Sequence, residues 1–287
     1  TTSGALGILI PPSIVMVMYS VATNTSVGAM FMAGVLPGIV LAIVLGGVAW
    51  WRARKFGYPR LPKASLRERW RTFRDSIWGL LLIVIVMGGI YSGLFTPTEA
   101  AAMSAVYAFV IAVFVYRDMG LRDVPRVLLN SANMSAMLLY IITNAVMFSF
   151  ILTNENIPQT LADWMLAQGL GPIAFLLAVN VLLLLAGNFM EPTSIVLIFA
   201  PILFPVAIKL GIDPVHFGII MVVNMEVGMC HPPVGLNLYV ASGITKMGIT
   251  ELTIAVWPWL LAMLSFLLLV TYWPTLSTWF PTYLGMM

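Results

Sequence analysis

The chain has 287 residues, 61% of them hydrophobic and 9% charged, whereas soluble domains carry about 25% charged residues; no water-soluble core absorbs that much apolar sequence. Its net charge of +3 and pI near 9.1 come from positive residues beside apolar runs rather than from a basic soluble face, which argues against nucleic acid as a partner. The single cysteine, Cys230, excludes an intrachain disulfide and a cysteine-rich metal site. The chain opens on Thr1-Thr2-Ser3-Gly4 with no initiator methionine, basic flank or signal-peptide pattern, so it is read as starting inside an element with sequence missing upstream.

Apolar runs long enough to cross roughly 30 Å of hydrocarbon follow in order: Met30 to Trp51, Ile77 to Phe95, Ala100 to Tyr116, a span from Val127, and Leu252 to Trp273. Nine of the 14 Lys and Arg residues lie between Arg52 and Arg74, and Arg117, Arg122 and Arg126 form the next basic loop. The positive-inside rule makes both loops cytoplasmic. The two spans between them join through Thr96-Pro97-Thr98-Glu99. Thr153 to Asn156 is then outside, and Ile157 to Gln168 reads as a short surface helix with Leu161, Trp164 and Met165 on one face. Lys246 is placed inside.

Sliding the sequence on itself by 221 residues superposes Gly7 on Gly228, Pro11-Pro12 on Pro232-Pro233 and Pro37 on Pro258. In the orientation above the two copies cross in opposite senses, an inverted-topology repeat. Paired prolines at mid-span remove two backbone donors and leave carbonyls without partners, which is untenable facing lipid but suits an ion site. The carbonyls around Gly7 to Ile10 and Gly228 to His231 are expected to face a cation. The half-helices starting near Ser13 and Val234 aim amide ends at an anion. Between Gly171 and Leu210, apolar arms flank Gly187 to Ser194 and read as a re-entrant hairpin. The expected class is all-α and polytopic, with inverted repeats, a re-entrant hairpin and broken helices. Its parts are 1–51 (end of the first repeat), 52–75 (basic loop), 76–169 (scaffold helices) and 170–287 (hairpin, second broken helix, last span).

The runs Phe95-Thr96-Pro97-Thr98-Glu99-Ala100-Ala101, Pro201-Ile202-Leu203-Phe204-Pro205, Gly211 to Ile220, Pro232 to Leu238 and Gly7 to Ser13 together resemble the large membrane subunit of TRAP-type carboxylate transporters, the DctM type, from end to end. The resemblance implies an elevator transporter that takes up an organic acid with sodium in the bacterial inner membrane. A periplasmic solute-binding protein and a small four-helix membrane subunit would be its partners. In that family's terms the chain would be the carboxy-terminal part, entering at the first broken helix. His231 departs from the threonine more common before the paired prolines.

Sodium takes hard oxygen ligands, carbonyls and Ser, Thr and Asn side chains. The candidates at the second break are Gly228, Met229, His231, Pro232, Pro233, Gly235 and Asn237 with Asn188 and Thr193 from the hairpin; at the first break they are Ser3, Gly7, Pro11, Pro12 and Ser13. Glu191 would tune the site or accept hydrogen bonds from the tip backbone, and Glu226 would couple or stay structural. Asn130, Asn133, Met137, Tyr140 and Asn144 share a helical face of the kind that binds helices together. No cofactor beyond the coupling ion is expected, and no nucleophile with its base points to an enzyme. The competing reading is a non-transporting membrane scaffold, for which mid-span proline pairs in inverted copies would have no use.

Overall fold

The structure, a computed structural model, describes residues 1–59, 62–232 and 235–287. One helical turn, α1 (Thr2–Ala5), runs into a 3-10 turn at Leu6–Ile8. Pro11 and Pro12 cannot donate to a helical ladder, so the helix restarts at α2 (Ile14–Thr23), where the Ser13 hydroxyl accepts from Met16 N at 3.4 Å and donates to Ile8 O. The long helix α3 (Val27–Lys55) follows. Ser65 caps α4 (Leu66–Tyr91), and Thr96 with Glu99 forms a capping box on α5 (Pro97–Val110), which widens into a π turn at Ile111–Val115. Then come α6 (Val124–Asn154), α7 (Ile157–Ala167), α8 (Pro172–Gly187), α9 (Pro192–Lys209), α10 (Pro214–Gly228), α11 (Leu236–Thr245), α12 (Ile249–Tyr272) and α13 (Thr275–Tyr283). Pro97, Pro172, Pro192 and Pro214 each sit in a first turn, where a missing N–H costs nothing.

Among the described residues there is no strand, and six helices are long and apolar enough to cross a membrane: α3, α4, α5 with its π turn, α6, α9 and α12. The chain is an all-α, multi-pass membrane protein.

Two compact units divide it: residues 1–55 with 141–287, and residues 56–140. In the first, α10 is the core. Every residue from Val215 to Gly228 is buried, with α8, α12, α3, α9, α2 and α13 packed around it. Small residues mark the closest approaches, as lipid-embedded bundles require: Gly218 lies against Tyr19 and Met30, and Gly34 against Met16 and Leu9 O. The α7 helix rests on α9, where Lys209 Nζ lies 2.6 Å from Asp163. In the second unit, α4 packs along α5, with Phe95 over Gly89. The polar residues Asn130, Asn133 and Asn144 on α6 are exposed in this chain.

The duplicated elements differ in register from a gapless superposition. Ser13 corresponds to Gly235, Ile14 to Leu236, Asn24 to Lys246 and Val27 to Ile249, an offset of 222 residues, whereas the proline pairs are 221 apart. One extra residue therefore follows the second pair. Each half-helix has 10 residues and stops on a left-handed residue, Asn24 at φ 57° and Lys246 at φ 60°. The long helix after each carries an internal proline, Pro37 or Pro258.

Candidate functional site

The hairpin of α8 and α9 brings its tip onto the end of α10. Gly187 and Gly228 meet backbone to backbone: a Cβ on Gly228 would lie 2.9 Å from Gly187 Cα, so neither position has room for a side chain. The next tip residue, Asn188, is buried, and its amide reaches the second break. With the amide nitrogen turned to the break, it donates to His231 Nδ1 at 2.9 Å, His231 O at 3.1 Å and Pro232 O at 3.2 Å. The hairpin tip thus supplies a donor to the His231 and Pro232 carbonyls, which lie beyond the last residue of α10 and outside its ladder.

Downstream, the chain turns sharply into α11. Gly235 takes φ 38°, which strains any residue with a Cβ, and a Cβ there would sit 2.8 Å from His231 O and 3.1 Å from Met229 O. The carbonyls of Met229 and His231 therefore crowd the start of α11. Met229 O accepts from Asn237 N at 2.9 Å, and Gly228 O from His231 N at 3.2 Å. Unlike α2, α11 has no side chain capping its first turn among the described residues.

The first break meets this region through α1. The Asn237 amide nitrogen is 3.4 Å from Thr1 O, with Gly4 beside it, and Cys230 Sγ is 3.8 Å from Thr1 O.

The expected residues thus fall into three groups. Asn188, Gly228, Met229, His231, Pro232, Gly235 and Asn237 converge. Ser3, Gly7 and Pro12 are exposed, while Pro11 and Ser13 are buried at the first break, Ser13 as the cap of α2. Glu191 caps α9, accepting from Thr193 N and Ser194 N, both at 2.9 Å. Thr193 is buried in that same first turn. Pro233, with Val234, lies outside the described residues.

Comparison with known proteins gives a match to the family described as "Tripartite ATP-independent periplasmic transporter, DctM component" over residues 1–276. The whole chain is 72% identical to "C4-dicarboxylate TRAP transporter large permease protein DctM" of Rhodobacter capsulatus, of which it covers 68%. Over 99% of the chain it is 56% identical to the protein of the same name from Pseudomonas aeruginosa, covering 66% of it. It is also 39% identical, over 96% of its length, to "Sialic acid TRAP transporter large permease protein SiaM" of Vibrio cholerae, covering 65% of that protein. The chain belongs to the DctM family.

It spans about two thirds of the length of these DctM relatives. One feature of this DctM chain escaped the sequence reading. Asn224 Nδ2 donates to Asn180 Oδ1 at 2.8 Å, Asn180 Nδ2 to Thr271 Oγ1 at 3.0 Å, and His216 lies 2.7 Å from Ser277 Oγ and 3.3 Å from Thr271 O. This buried network fastens α8, α10, α12 and α13 together. Its only trace in the sequence is single polar residues inside apolar runs. Glu226, by contrast, is fully buried, and neither carboxylate oxygen has a hydrogen-bond partner among the described residues. Intramembrane acids of this kind are costly and default to function.

Proposed function

We propose that this chain is the transport core of a sodium-coupled, binding-protein-dependent importer of C4-dicarboxylates in the bacterial inner membrane. The single observation that carries this reading is the junction of hairpin tip and break, where the Asn188 amide lies within 3.2 Å of the carbonyls of both His231 and Pro232. A helix interrupted at a buried asparagine has carbonyl oxygens to offer a hard cation, and rotation of the Asn188 amide adds its own oxygen. Sodium then replaces the amide nitrogen as the partner of those carbonyls.

The substrate carboxylate is held by the start of α11, where no side chain among the described residues caps the first turn; Asn237 N is already taken by Met229 O, so the donor is the Leu236 amide. The matching end of α9 is closed to it by Glu191. C4-dicarboxylate is the substrate class because the relatives at 72% and 56% identity carry it in their names. Coupling follows because cation and anion ends converge on Met229 to Asn237: each ion reduces the cost of placing the other. The network through Asn180, Asn224 and Thr271 makes hairpin and broken helix travel as one body, as an elevator motion needs. A small membrane subunit and a periplasmic solute-binding protein complete the system.

The test is uptake of labelled succinate by proteoliposomes holding the full-length permease and its small subunit, with the binding protein outside. Uptake is expected only with an inward sodium gradient and only with the binding protein present. Equal uptake in potassium would remove sodium coupling, and uptake that ignores excess fumarate would remove the substrate class.

A further inference from the structure

Arg67, Arg71 and Arg74 stand at i, i+4 and i+7 of α4, and Trp78 follows at i+11; at about 100° per residue, all four share one helix face. Trp70 flanks that face, its ring centroid 5.8 Å from that of Phe73. With Ser65, Glu68 and Asp75, these arginines and Trp70 line an open groove of about 710 Å³. A second groove, of about 530 Å³, shares Arg74 and Asp75 and continues over Ile77, Trp78, Val115 and Tyr116. Its walls are pinned by Tyr116 Oη donating to Asp75 O at 2.8 Å and Tyr107 Oη to Trp78 O at 2.7 Å.

Cationic and apolar grooves are thus joined end to end. Orienting the chain requires positive charge in the loop, but not its stacking on one face, where like charges repel. Arg71 is 4.0 Å from Asp75 with both side chains largely exposed, and among the described residues Arg67 and Arg74 have no ion-pair partner. Depth fits as well. At 1.5 Å per residue Arg74 and Arg71 lie about 5 and 9 Å along the axis from Ile77, where the apolar part of the helix begins, the level of the headgroup layer.

We propose that these contiguous grooves bind one anionic glycerophospholipid of the cytoplasmic leaflet. Its phosphate lies on Arg67, Arg71 and Arg74, and an acyl chain runs along Ile77, Trp78 and Val115. Inorganic phosphate would fill only the first groove, and an acidic segment of a partner protein has no use for the second. The proposal rests on the membrane placement of α4, not on the ion coupled to transport.

The test is native mass spectrometry of the full-length permease with its small subunit, delipidated and offered phosphatidylglycerol or phosphatidylcholine. Phosphatidylglycerol is expected to be retained at least tenfold better, with at least a fivefold loss of that preference in R67Q/R71Q/R74Q and none in R69Q on the opposite face. Should the triple variant not insert, R74E alone reads the same loss, because eight of the nine positive charges from Arg52 to Arg74 remain to orient the chain. An unchanged preference in these variants, or an equal loss in R69Q, would overturn the site. So would displacement of the lipid by inorganic phosphate at matched ionic strength, or cross-linking of a cysteine at position 71 to the small subunit with no lipid retained.

Discussion

At the second break His231 offers the hairpin two different groups, a ring nitrogen 2.9 Å from the Asn188 amide and a main-chain carbonyl 3.1 Å from it. His231→Thr removes only the first. Sodium-dependent uptake by the complete complex should then stay within about tenfold of wild type, or ~1.4 kcal/mol. Asn188→Ala loses contact with the ring and with both carbonyls, and should cost more than tenfold at limiting sodium; the reverse order would show that the imidazole, not the backbone, holds the ion. Glu191 gives a second contrast, because its two oxygens each accept from a different backbone N–H, Oε1 from Thr193 and Oε2 from Ser194. Glu191→Gln, with one acceptor oxygen left, should lose part of the stability that Glu191→Ala, without a cap, loses in full, about 1 kcal/mol. A melting temperature unchanged in Glu191→Ala would show that the cap does not stabilise the hairpin tip. Gly228→Ala places a methyl 2.9 Å from the Gly187 backbone, an overpacking cost of about 1–3 kcal/mol that should lower the melting temperature. Gly46→Ala, with nothing within 4 Å of the added carbon, should not.

The helical elements were legible because their signals are local. Ser65, Thr96 and Asp213 before helices, prolines in first turns and long apolar runs all act within a few residues of one another. The breaks were legible for the same reason: Pro11 and Pro12 stop a ladder whatever surrounds them. The extra residue between the second proline pair and α11 was not legible, because superposing sequences sees the prolines, while the register of the half-helices is set by where each is capped. The π turn at Ile111–Val115 and the short α13 likewise carry no distinctive local pattern. Nor was the Asn180–Asn224–Thr271 network visible, since its members come from α8, α10 and α12. Its role as a clamp is open to measurement. Thr271→Val keeps the volume but takes away the acceptor of Asn180 Nδ2, and leaving a buried donor unpaired costs about 1–3 kcal/mol. Thermal unfolding of the purified protein should show that loss, while Thr282→Val, at an exposed position of α13, should be nearly neutral.

For the whole molecule, composition and charge asymmetry already demanded a multi-pass membrane protein. What they could not supply is the pairing of elements far apart in the chain. Asn188 meets His231 across 43 residues and Thr1 meets Asn237 across 236, so a candidate site read as two separate breaks is one cluster at the second break, touched by the start of the chain. The orientation remains a statement about sequence, and thiol labelling checks it. In the full-length permease a cysteine at Ser65 should react with an impermeant reagent only after the cell is opened, and one at Asn156 in intact spheroplasts. Swapped labelling would invert the hairpin as well.

The most direct test of the cation site is the half-saturating sodium concentration for dicarboxylate uptake by the complete complex, compared between wild type and Asn188→Ala. The account predicts sodium-dependent uptake whose half-saturating concentration rises at least tenfold in the variant, about 1.4 kcal/mol of lost binding, with little change in the dicarboxylate concentration needed at saturating sodium. Sodium-independent uptake by the wild type, or coincident sodium curves for the two proteins, would contradict it.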